Sequence, residues 1–170
     1  TYNRPVVGII TDAFAVSVDL GVRALIFAVV AGVLLGAVAA IRRGSAWDSI
    51  SMFSALIGES VPSLIMGAML QYFLALQLRK WTGITFFPIQ GWGTFKQTLL
   101  PAFALCLGSL ATVSRLMRTS MLDVMGQDYI TTAKAQGLSQ RKILWKHAIR
   151  NALMPVVTIM WPTVFSVLTG

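Results

Sequence analysis

The sequence predicts an all-α membrane protein, a polytopic bundle of transmembrane helices, and three observations carry that prediction. Its 170 residues are 56% hydrophobic and only 12% charged, whereas a soluble domain covers itself with roughly 25% charged residues. Its mean hydropathy is +0.73. Between Ala24 and Ile41 lie 18 residues without a charge, about 27 Å of helix against a hydrocarbon core ~30 Å thick. Residues 1–170 read as one transmembrane domain, and as a piece of a longer protein, because the chain begins at Thr1 without a methionine and ends at Gly170 inside an apolar run.

Four spans are expected, at about 24–41, 50–78, 99–114 and 152–170. In the first, Gly32 and Gly36 form a G-x-x-x-G pair, which either permits close helix contact in lipid or reflects chance in a glycine-rich run. Pro62 predicts a kink or break in the second, because proline removes a backbone donor and clashes one turn back. Pro101 falls in the first turn of the third, where proline is tolerated. The helix of that span is expected to continue past Arg115 to Met125, with Met117, Met121, Leu122 and Met125 on one stripe. The fourth carries Pro155 and Pro162. Cys106 reads as a small buried hydrophobe. Asp19 and Arg23, four apart ahead of the first span, are expected to pair.

Charge sets the orientation. The first and third connections hold nine Lys/Arg, at positions 42, 43, 115, 118, 134, 141, 142, 146 and 150. The second connection, with the leading segment, holds five: Arg79, Lys80 and Lys96, then Arg4 and Arg23. Nine against five puts the first and third connections in the cytoplasm. Trp81, Phe86, Phe87, Trp92 and Phe95 then make the second an outer interfacial segment, their rings at headgroup level.

The cytoplasmic loop 119–151 reads as two short helices around a turn. Asp128 is expected to cap the first, Gly137 to end it in the left-handed region, and Ser139 to cap the second. Leu138 and Ile143 have the spacing of a hydrophobic staple. Ala133 and Ala135 keep the turn slim enough for a groove, and the result is a small basic knob.

Enzyme classes fail for want of parts. There is no phosphate-binding glycine loop and no dinucleotide fingerprint. The one histidine, His147, has neither a carboxylate nor a cysteine beside it, so no catalytic group, cofactor or metal is expected. The knob has the size of a DNA-binding helix-turn-helix, but both its ends are tied to membrane helices, and DNA docked there would meet the lipid headgroups. A transport or channel subunit remains, its knob taking force from a partner, with nucleic acid excluded and lipid as its surroundings.

The residues carry a resemblance as well. RRGSAWD after the first span, SVPS at the break, GWGTF in the outer loop, RLMRTSMLDV, QDYITTAKAQGLS and KHAIRNALMPVVT together resemble the oligopeptide/dipeptide permeases of binding-protein-dependent ABC importers. GWGTF leans toward the oligopeptide type. Ala133 and Gly137 keep the A-x-x-x-G core of the family's E-A-A-x-x-x-G coupling loop, while Thr131 and Thr132 replace its Glu and first Ala. Arg150 stands where many importers place a proline.

The resemblance implies a type I importer permease of six spans in a bacterial inner membrane, the chain covering the second to the fifth. It further implies a second permease subunit, two cytoplasmic ATPase subunits and an extracytoplasmic peptide-binding protein. Thr132, Ala133, Ala135, Gln136, Gly137 and Leu138 would form the ATPase-coupling loop. Glu59 and Pro62 mark a candidate polar patch on the translocation path, Glu59 otherwise being a structural carboxylate bonded to Ser60 or to a partner subunit. A permease for another solute, such as nickel or a sugar–peptide conjugate, stays open at this point, as does, more distantly, an ion-driven secondary transporter.

Overall fold

The computed structural model describes residues 6–169, with side chains to Phe165. Arg4, counted above with the leading segment, and Gly170, the end of the fourth expected span, lie outside the described residues. Among the described residues eight α-helices follow in order: α1 Val6–Ile41, α2 Ala46–Ser60, α3 Ser63–Leu70, α4 Leu78–Thr82, α5 Phe95–Met125, α6 Asp128–Ala135, α7 Gln140–Lys142 and α8 Arg150–Thr169. Wider π turns, Gln71–Gln77 and Ile143–Ile149, join α3 to α4 and α7 to α8. Three continuous helical stretches of the described residues are long and apolar enough to cross a membrane, Val6–Ile41, Phe95–Met125 and Gln140–Phe165, and the bent pair α2 with α3–α4 makes up to four.

The packing inverts the soluble pattern. Along α1, Gly21, Ala24, Ala28, Gly32, Gly36 and Ala40 are buried, while Val22, Ile26, Val30, Leu34 and Val38 are exposed four residues apart. Small residues therefore form the seam and large ones point away from it, because in hydrocarbon helices gain little from hiding apolar bulk and much from close backbone approach. The partner across that seam is α5. A Cβ on Gly32 would lie 2.8 Å from Val113 Cγ1, and one on Gly36 would strike the Ser114 carbonyl and sit 2.8 Å from Met117 Cβ. The G-x-x-x-G spacing is thus a helix contact rather than chance.

Met117 and Met121 of α5 then pack with Ala37 and Ala40 of α1 and with Ala148, Ala152 and Val156 on the run into α8. Cys106 is buried, against Ala24 and Ala28. The helix of α1 starts well before Ala24, and within its early part Arg23 donates to Asp19 Oδ1 at 2.9 and 3.0 Å, as their spacing suggested. Arg23 also reaches Thr98 Oγ1 at 3.0 Å and lies over the Phe95 ring, tying α1 to the start of α5.

α5 runs unbroken past Arg115 to Met125. At its start the Thr94 N–H donates to Gln97 Oε1 at 3.0 Å, and Gln97 Nε2 donates to the Gln90 carbonyl at 3.3 Å. Gly91 between them, in the GWGTF sequence, has φ +110°, and a Cβ there would collide with the Gln97 carboxamide.

Candidate functional site: a broken-helix groove and a knob

Between Ser60 and Ser63 the chain leaves the helix for two extended residues, Val61 at φ −97°, ψ 125° and Pro62 at φ −53°, ψ 135°. The proline ring disfavours helical backbone at the preceding residue, and Pro62 has no N–H to give the Gly58 carbonyl. The two helical arms diverge by 106°, which is a turn of the chain rather than a kink.

That break opens one wall of a groove of about 660 Å³, whose other walls are α5 through Ala104, Gly108 and Thr112, and α8 through Ile159, Pro162 and Thr163. Thr112 and Thr163 donate their hydroxyls to carbonyls four residues back, so each oxygen keeps its capacity to accept. Glu59 and Pro62, singled out from the sequence, both line it.

Glu59 does not bond Ser60, whose hydroxyl donates to the Leu56 carbonyl at 2.8 Å. Its partner is Arg115 of α5, Nη1 to Oε2 at 2.5 Å. A second pair lies nearer the start of α2: Arg118 Nε and Nη2 each approach Asp48 at 2.7 Å, and the Gly44 N–H donates to the same carboxylate at 3.0 Å. Sequence reasoning treated Arg115 and Arg118 as cytoplasmic charges and did not single out Asp48. The signal was available: α2 carries two carboxylates, α5 two arginines three apart, and charges on largely apolar helices need counter-ions.

The knob is built by local backbone chemistry. Gly137 has φ +77°, the Leu138 N–H donates to the Ala133 carbonyl at 3.2 Å, and the Gly137 N–H to the Lys134 carbonyl at 3.0 Å. These two bonds are a Schellman ending, which satisfies carbonyls that the helix end would orphan. Its apolar contact is present too, Leu138 packing on a small core of Ile130, Ala133 and Ile143. Ala135, Gln136 and Gly137 form the exposed tip with Thr132 beside them, whereas Ala133 is buried beneath, so its smallness serves the knob's own interior.

The expected cap at Asp128 is displaced by one residue. Gln127 occupies the cap position with extended backbone, and Asp128 falls in the first turn, where its charge favours the positive end of the helix without capping it. Ser139 does sit at the cap of α7, with no side-chain bond to the turn. Asn151 Nδ2 donates to Tyr129 Oη at 2.8 Å, tying α6 to α8.

With this geometry in view, likeness to known proteins becomes specific. The chain is 39% identical over 168 residues to the dipeptide transport system permease protein DppB of Lactococcus lactis subsp. cremoris, covering 99% of this chain and 54% of that protein. It is 44% identical over 157 residues to the protein of the same name in Bacillus subtilis, covering 92% and 49%. With the oligopeptide transport system permease protein OppB of Haemophilus influenzae it shares 38% over 170 residues, 99% and 54% of the two chains. The chain thus spans about half the length of these curated relatives. Residues 32–170, which include the broken helix, both ion pairs and the knob, match one family throughout, and the chain accordingly belongs to the binding-protein-dependent transport system inner membrane components.

Proposed function

We propose that the chain is the central part of a permease subunit of an ATP-driven importer, its groove forming part of a peptide path and its knob receiving motion from a separate ATPase. The observation that carries this is the knob: a rigid Schellman turn with its own buried core and a slim exposed tip, fixed between α5 and α8, which are also two walls of the groove. A push on such a tip passes into α5 and α8, the helices that line the groove. The reading supplies a second permease, two ATPase subunits and an extracytoplasmic binding protein as partners.

Peptide cargo is supported by the names of the relatives, which are dipeptide and oligopeptide permeases. Those names favour peptides over nickel or a sugar–peptide conjugate, and membership of a binding-protein-dependent family favours ATP over an ion gradient. Cysteines placed at Ala135 or Gln136 should cross-link to the ATPase, and cysteines at Lys146 or Arg150 should not, because those two basic residues lie toward the fourth span, where anionic headgroups satisfy them. Cross-links confined to Lys146 and Arg150 would transfer the coupling role to the basic helix.

A further inference from the structure

Two ion pairs hold α2 against α5, and they are built for different purposes. Asp48 and Arg118 meet at two points, the carboxylate takes a third bond from the Gly44 N–H, and their side chains are only 8% and 27% exposed. Such a pair is a fixed clamp. Arg115 Nη1 meets Glu59 Oε2, and these side chains are far more open, 45% exposed for Glu59 and 40% for Arg115. Glu59 is also the one ionisable residue lining the groove among the described residues. Glu59 shares the groove lining with Gly58, Thr112 and Thr163, so the walls carry further acceptor oxygens, and the counter-ion of its carboxylate is Arg115.

A groove-lining carboxylate with an accessible counter-ion suits a cation that enters and exchanges. Resting on the reading of the groove as a peptide path, we propose that the Glu59–Arg115 pair is a latch in which the terminal ammonium of a peptide replaces the Arg115 guanidinium on Glu59. An ammonium brings three donors to this cluster. One ionic contact is exchanged for another, so the step costs little in charge burial, and the released guanidinium, already partly exposed, turns away from the carboxylate. The Asp48–Arg118 clamp keeps α2 on α5 while the latch is open. The permease therefore selects for a free amino terminus on its own account, beyond any choice made by the protein that delivers the peptide.

The test uses the complete transporter, both permeases with ATPases and binding protein, in proteoliposomes. ATP-dependent uptake is measured for a lysine-free tripeptide and its N-acetylated form, each saturating the binding protein, and normalised to the permease present. Wild type should carry the free-amine peptide about tenfold faster, the scale of one charge-assisted hydrogen bond. Glu59→Gln should bring that ratio near one. Arg115→Gln should keep or raise it, because the carboxylate is then unencumbered; a merely structural pair would make the two variants fail alike. The exchange Glu59→Arg with Arg115→Glu restores a pair but puts the wrong charge in the groove, and its ratio should stay near one.

A wild-type ratio in Glu59→Gln, or recovery of that ratio in the exchanged variant, overturns the latch. The binding protein's own preference is common to all variants and cancels. Absence of ATP-dependent uptake of either peptide by wild type would instead overturn the permease reading on which the latch rests.

Discussion

Gly36 and Gly67 are both helical glycines facing α5, yet they do opposite things. A Cβ at Gly36 would strike the Ser114 carbonyl and lie 3.1 Å from the Arg118 nitrogen, so the obstruction is backbone and cannot swing aside. Gly36→Ala should lower stability in detergent by about 1–3 kcal/mol, the cost of overpacking a close interface. At Gly67 the nearest atom to a built Cβ is Ala104 Cβ at 3.6 Å, an ordinary contact. Gly67→Ala should be neutral or stabilise by about 0.5–1 kcal/mol, as alanine loses less backbone freedom in a helix. Thermal unfolding of the two variants side by side checks both signs. Spacing in the sequence marked Gly32 and Gly36 as a pair but could not name what lay opposite, because α5 begins more than fifty residues later and nothing local encodes that approach. The same limit hid Arg115 from the reading of Glu59: a counter-ion 56 residues away is fixed by helix packing, and only the balance of two carboxylates against two arginines hinted at it.

At the scale of elements, the knob was legible because its turn is written in neighbouring residues. Gly137, Ser139, and the Leu138–Ile143 spacing specify the ending, the restart and the contact between them, and the structure bears out all three positions. Asp128 misled by one residue since an acidic side chain suits both a cap and a first turn. Gly137→Val should abolish ATP-dependent uptake with the protein still in the membrane, for φ +77° costs a residue with a Cβ about 1 kcal/mol and a branched one more. No atom lies within 4 Å of a Cβ built there, so crowding inside the knob is not the cause. Gly137→Asn, which tolerates the left-handed region, should retain much of the uptake unless the tip must also stay slim for a partner's cleft. Normal uptake by the valine variant would remove the turn from the coupling path. The broken second span shows the opposite case: Pro62 announced an interruption, but a bend of 106° depends on what α3 packs against, and α3 packs on α5.

Across the whole molecule, the positive-inside count predicts that Gln136 and Thr85 face opposite sides of the membrane. The wild-type chain offers a quiet background for the measurement, since Cys106 is 1% exposed. An impermeant maleimide added to intact cells should label Thr85→Cys at once and Gln136→Cys only after permeabilisation; the reverse order would invert the topology. Both positions are solvent-exposed in the fold, so reactivity reports sidedness rather than burial. Finally, α5 touches α1 backbone to backbone where Gly36 meets Ser114, and that point divides the rod unequally. From Ser114 to Met125, beside the knob, is about 16 Å of helix, and from Ser114 back to Leu105, in the groove wall, about 14 Å. If backbone against backbone serves as a fulcrum, a sideways displacement of about 2 Å at the knob swings Leu105 by a little under 2 Å the other way. The bare α-carbon at Gly36 would then be less a space-saver than a bearing, the surface on which a cytoplasmic stroke is reversed in direction before it reaches the cargo.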